Sequence, residues 1–170
     1  MRSGPWTLNS RLWSLVLDSG GRVVLLPPVM LLTVMACASG TPPPAPLDTR
    51  NDACRFCRMA VSTQRFAAQL VAPSEEPTFF DDIGCLRDFL KQQGSLPPGT
   101  IAYVADHRTG EWVAAAEALY TKSEAVATPM NSGLIAHRGA ASRDQDQAAR
   151  DGTAVPAADI LGPLAERSGR

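Results

Sequence analysis

The chain has 170 residues, with 16 Lys and Arg against 17 Asp and Glu, for a net charge of −1. Hydrophobic residues make up 45% of it and aromatic residues 6%, enough for one small core rather than several domains. No basic block occurs, so nucleic acid is excluded as an expected partner.

In chain order, the first feature is an apolar run from Val23 to Ala36, VVLLPPVMLLTVMA, preceded by Arg22 and ending at Cys37. At about 14 residues it is shorter than the ~20 that span a bilayer, and it fits the apolar region of a signal peptide. Val34-Met35-Ala36-Cys37 resembles a bacterial lipobox, in which signal peptidase II cuts before the cysteine. Residues 1–36 are therefore expected to be a signal peptide, and Cys37 a lipidated first residue. The alternative is a plain signal peptide with a chance cysteine. The segment Met1 to Gly21, with Trp6, Trp13 and Asp18, is long for a leader, so either translation starts further on or the leader is extended. Loss of Arg2, Arg11, Arg22 and Asp18 with the leader takes the net charge from −1 to −3.

Thr41 to Pro46 reads TPPPAP. Proline fixes φ and lacks a donor, so this stretch makes neither helix nor sheet. Residues 37–47 read as a lipidated cysteine and a semi-rigid tether. Residues 48–163 read as one folded domain, and 164–170 as a disordered tail.

Within the domain, Val61 and Phe66, then Ala68, Leu70 and Ala72, suggest two short strands with a turn near Ser62 to Arg65, and Thr78 to Phe80 a third. Asp81-Asp82 marks a helix start. Ile83, Leu86, Phe89 and Leu90 follow at helical spacing, and Gly94 marks its end. Ile101 to Ala105 is a strand, Asp106 to Gly110 a turn, and Glu111 to Val113 extended. A similar order then recurs. Tyr120 to Val126 and Leu134 to His137 read as strands around a Thr128–Gly133 loop. Ala140 to Arg150 reads as a polar helix, and Thr153 to Val155 as a last strand. The fold class is α+β, with the sulfur residues at comparable early positions in two strand-strand-helix-strand units.

Four cysteines occur, and three remain beyond Cys37. An odd number outside the cytoplasm suits no disulfide framework. Cys54-Arg-Phe-Cys57-Arg-Met59 puts two thiols and a thioether within six residues. Met130 adds a second thioether in a polar loop, and Cys85 a third thiol. A CxxC pair admits several uses. Redox exchange wants the first cysteine at a helix N-terminus, and here a strand-like segment follows. Zinc wants four ligands, usually a second CxxC or paired histidines. A structural disulfide is a third use. Soft thiolate and thioether ligands together favour Cu(I). Met59 also has a plain reading as a core residue, Cys85 as a small buried hydrophobe, Asp81 and Asp82 as caps, and His137 as structural.

Taken together, CxxCxM, FDDIGC (Phe80 to Cys85), YVAD with TGEW (Tyr103 to Asp106, Thr109 to Trp112) and TPM with Gly133, after a lipobox, resemble the NosL family. The resemblance covers about Ala53 to Ala140. It implies a lipoprotein that binds Cu(I) and delivers it during maturation of nitrous-oxide reductase, without being an enzyme. It implies a fold of two ββαβ units related to organomercurial lyase. By motif match, the metal ligands are Cys54, Cys57, Met59 and Met130, with Cys85 a further candidate; the resemblance does not choose between Cys54 and Cys57. The expected partners are an acceptor cuproenzyme or its assembly machinery, and a membrane reached through the lipid anchor, with the domain on the extracytoplasmic side. One departure is Arg58, where the family often has glycine. The competing reading is a thiol-disulfide oxidoreductase, or a lyase-like thiol enzyme, using the CxxC pair.

Overall fold

The structure, a computed structural model, describes residues 40–166; the expected signal peptide, Cys37 and residues 167–170 of the tail lie outside them. The first unit begins with a hairpin of β1 (Ala68–Val71) and β2 (Thr78–Phe80). Helix α1 (Ile83–Gln92) crosses to β3 (Ile101–Ala105), and β4 (Trp112–Ala114) adds an edge. The sheet order is β2-β1-β3-β4, antiparallel throughout. The second unit runs β5 (Leu119–Lys122), β6 (Leu134–His137), α2 (Ala140–Gln145) and β7 (Thr153–Val155), in the order β6-β5-β7. In both units the first strand is central and its two successors flank it antiparallel. That is the α+β, twice-ββαβ architecture the sequence pattern implies.

Helix α1 forms where Asp82, in extended conformation, caps it by accepting from the Gly84 N–H at 2.6 Å. Its apolar stripe turns Ile83 and Leu86 fully into the core, and Phe89 meets Phe80 with ring centroids 5.2 Å apart. Burying side chains of this size contributes roughly 1.5–3 kcal/mol each. The two sheets are joined where β3 ends. Asp106 bridges Ala136 in parallel, and the His107 N–H donates to the Ala136 carbonyl at 2.8 Å.

Three expected elements differ. No strand forms at Val61 ahead of the turn expected near Ser62 to Arg65. Val61 is buried alone, while Gln64–Phe66 forms a 3-10 turn whose Gln64 side chain donates to the Gly110 carbonyl. Consequently the Cys54–Met59 segment precedes the first strand of its unit, whereas the Met130 loop joins the first and second strands of the other. The two sulfur segments are not equivalent by position. The strand expected to reach Val126 ends at Lys122, after which the chain leaves the ladder to build the Thr128–Gly133 loop. The long polar helix stops at Gln145, because the Asp146 side chain turns back to the Ala148 N–H and starts a new turn. A short helix, α3 (Ala157–Leu161), was not expected; it buries Ile160 and Leu161 against α1.

Before the domain core, Pro42 and Ala45 lie on the first sheet. The Tyr103 hydroxyl donates to the Pro42 carbonyl at 2.6 Å. The fully buried Gln69 amide pairs with both backbone groups of Ala45.

Candidate metal centre

Three segments build the centre. The first is the loop from Ala53 to Ala60, closed by a bridge between those two residues. Inside it the Cys54 N–H donates to the Met59 carbonyl at 2.7 Å, and the Arg58 N–H to the Cys54 carbonyl at 2.9 Å. Closure this tight puts Arg58 at φ 66, in the left-handed region. The Arg55 N–H ties the loop to β2 through the Phe79 carbonyl at 2.8 Å. The second segment is Asp81, directly after β2. The third is the first turn of α1, which carries Cys85.

The sulfurs of Cys54, Cys57 and Cys85 and a carboxylate oxygen of Asp81 lie within 4.8 Å of one another. A trigonal centre with metal–sulfur bonds of about 2.3 Å sets its sulfurs about 4 Å apart, so the spacing fits one soft ion. No disulfide joins the three cysteines. Cys54 and Cys85 are buried and Cys57 is half-buried. The Cys57 thiol donates to Asp81 Oδ1 at 3.3 Å.

The three thiols are not equal. A hydrogen bond from Cys85 and the backbone N–H groups of Cys57 and Asp81 hold Cys54 down to about 6, against the opposing effect of burial. Cys57 is pushed up to about 11, chiefly by burial, although the Met59 N–H counteracts this. Cys85 is pushed far up, by donating a hydrogen bond to the Cys54 sulfur and by burial. Of the three thiols, Cys54 is therefore the one the surroundings favour as a thiolate, with Cys85 as its hydrogen-bond donor.

Met59 and Met130 are 47% and 43% exposed, among the most exposed large hydrophobic side chains described. Neither is a core residue. The Met130 loop is keyed to the start of α1 by Asp82, itself fully buried. Asp82 Oδ1 accepts from Gly84 N–H and the Ser132 hydroxyl, and Oδ2 from the Thr128 hydroxyl at 2.7 Å and the Met130 N–H at 2.9 Å. Pro129 and Met130 form a turn closed by the Asn131 N–H on the Thr128 carbonyl. The approach is close enough that a Cβ on Gly84 would stand 2.6 Å from Ser132 Cβ. The loop bearing Met130 is thus fixed to the same helix turn that carries Cys85.

The NosL family model matches residues 44–163. The chain belongs to the NosL family. NosL proteins are a copper-binding accessory family and not a known enzyme family, which gives this member a copper-related accessory role. No curated protein and no solved structure gives a significant match to it. Arg58 holds a positive φ, which glycine adopts freely and arginine only with strain, so the arginine here is a local cost.

Residue type and spacing point to Cys54, Cys57, Met59, Met130 and Cys85, and give Asp81 and Asp82 a plain reading as caps. One carboxylate suffices to cap a helix. Asp82 does so and also gathers the Met130 loop, while Asp81 turns to Cys57. The doubling of the acid before a cysteine-bearing turn was the available signal.

Proposed function

We propose that this NosL-family protein is a membrane-anchored Cu(I) carrier that hands copper to an extracytoplasmic cuproenzyme, with nitrous-oxide reductase the acceptor that family resemblance implies. The observation that carries the reading is the convergence of three cysteine sulfurs and the Asp81 carboxylate, on a loop that also carries the half-exposed Met59 and on a helix turn to which the loop of the half-exposed Met130 is tied through Asp82. Cys54 supplies the resident negative ligand. Cys57, half-buried, sits on the accessible side, and Met59 and Met130 stand on segments flanking the cluster. Cu(I) is stable with two or three soft ligands. An acceptor's sulfur or imidazole can therefore join at the methionine side before the carrier's own ligand leaves, so the ion is never released to solvent. The lipobox at Cys37 would keep the carrier at the membrane.

Thiol-disulfide exchange fits less well. An exchanger needs its low-pKa thiolate exposed to a partner disulfide. Here the thiolate is Cys54, at 1% exposure, and the more accessible Cys57 is held as a thiol.

Titration of the reduced protein against a Cu(I) chelator tests the reading. One equivalent of Cu(I), bound far more tightly than Zn(II), is expected. Equal retention of copper by the Cys54→Ser, Cys57→Ser protein would refute it. So would catalytic turnover of a disulfide substrate with no stoichiometric copper.

A further inference from the structure

The chain has two histidines in all. One lies in the turn after β3 and the other ends β6, yet both meet the same carboxylate oxygen. His107 Nδ1 stands 2.6 Å from Asp146 Oδ2, and His137 Nε2 stands 3.0 Å from it. The three ligand atoms lie within 4.8 Å of one another. Each residue is held from behind. The His107 ring packs on Phe66 with centroids 5.2 Å apart, and the His107 backbone N–H is fixed to the Ala136 carbonyl. Asp146 Oδ1 accepts from the Ala148 N–H at 2.9 Å, at the break after α2. His137 is completely buried.

A packing tie accounts for only part of this arrangement. When the His137 Nε2–H is given to Asp146, Nδ1 is left in the interior with no partner. An unpaired polar atom there is costly, and Nδ1 stays unpaired whichever ring nitrogen carries the hydrogen, so the imidazole is kept at a cost that a tie to Asp146 alone does not require. An amide side chain could donate to Asp146 equally well. What imidazole adds is a neutral nitrogen lone pair for a metal.

We propose that His107, His137 and Asp146 form a second metal site, for a borderline divalent ion of the Zn(II) or Cu(II) class. Two imidazoles and a carboxylate suit such ions, and with no sulfur present they disfavour Cu(I). Metal–ligand bonds of about 2.0–2.2 Å place ligand atoms roughly 3 Å apart, near the spacing already present. On binding, each ring moves the hydrogen now facing Oδ2 to its other nitrogen. The rings stay neutral, and the ion is balanced by the carboxylate. The site is separate from the thiol centre: His137 ends β6, whereas the Met130 loop precedes it. Three residue steps, roughly 10 Å, divide the two ends. An ion here would clamp the β3 turn, β6 and the end of α2 together, independently of copper held by the thiols.

Co(II) titration of the reduced full chain reads the two sites separately. Thiolate-bound Co(II) gives intense charge-transfer bands, whereas nitrogen- and oxygen-bound Co(II) gives only weak visible bands. Two classes are expected in the parent. His107→Gln and His137→Gln can still donate to Asp146, so the metal-free proteins should melt close to the parent. They should lose the weak-band class by at least tenfold in affinity and keep the charge-transfer class. Cys54→Ser with Cys57→Ser should do the reverse. If a Gln variant fails to fold, Asp146→Asn, which keeps volume and an acceptor, takes its place. Binding of Co(II) by the parent in the thiolate class alone would overturn the proposal, as would retention of the weak-band class by the folded variants. Neither result depends on whether the thiol centre takes Cu(I).

Discussion

Replacing Asp82 with asparagine tests how the centre is held together. Asparagine still caps a helix, so the Gly84 N–H keeps an acceptor. It has one oxygen, however, where Asp82 uses two to take four donors. The Thr128 hydroxyl can rotate to accept from the new amide, but the Met130 N–H faces a donor. Losing one charge-assisted bond costs about 1.5–3 kcal/mol, and a part-buried N–H left unpaired lies at the low end of ~1–3 kcal/mol. Since these overlap, a loss of about 2–3 kcal/mol is expected, read as a lower urea midpoint with unchanged slope. Copper reports the more specific effect. Freed from Asp82, the loop no longer fixes Met130, and Cu(I) affinity should fall about tenfold, or ~1.4 kcal/mol. The decisive assay is a double-mutant cycle with Met130→Leu, which removes the sulfur at a stability cost under about 1.5 kcal/mol. If Asp82 acts by placing Met130, then Asp82→Asn costs little further affinity once Met130 is leucine. Equal loss in both backgrounds would refute the reasoning and leave Asp82 as a purely structural cap.

Four further outcomes are expected, three from the same geometry and one from the sequence at Cys37. Arg58→Gly relieves the left-handed strain at φ 66 and should raise stability by about 0.5–1 kcal/mol after the entropic penalty of glycine, measured by urea unfolding; a loss of stability would contradict the strain. In the metal-free reduced protein, ultraviolet thiolate absorption should show Cys54 ionising near pH 6 and Cys57 and Cys85 above the normal thiol range; because the Cys54 value is lowered, its thiolate persists through neutral pH, and the fall of Cu(I) affinity with acid, already driven by protons that other thiol ligands must release, steepens below about 6. Cys85→Ala should raise the first ionisation by removing the donor, and no upward movement would exclude that hydrogen bond. Cys37→Ser should release the protein from the membrane fraction, and continued membrane association with an unchanged N-terminus would exclude lipidation there.

The readable elements were those that carry their own signals. Helix α1 has an acidic cap, apolar residues at 83, 86, 89 and 90, and a glycine just beyond its end. The repeat of two three-stranded cores was visible because short apolar runs alternated with turn residues in the same order twice. Val61 misled because one buried valine beside small polar residues looks like the start of an alternation that does not continue. Helix α3 escaped notice because five residues between Pro156 and Gly162 are too few to show a period. At the centre, cysteine and methionine announce soft-metal chemistry by residue type alone. The convergence of Cys85 and Asp81 on Cys54, and of both histidines on Asp146, depends on where β2, α1, β3 and β6 come to rest. No local spacing encodes those distances.

Asp82 reaches partners 46, 48 and 50 residues further along the chain. Closing loops of that length carries an entropic penalty that must be met before the contacts return anything, so this junction is expected to form late in folding. A chain emerging from its N-terminus presents the CxxC segment first and the Met130 loop much later. During that interval the cysteines are chemically available but the complete ligand set does not exist. Any ion picked up early would sit on two thiols alone and be readily exchanged. On the proposed reading, full retention of an ion begins only when the second half of the domain has closed onto the first, and loading would then report finished folding.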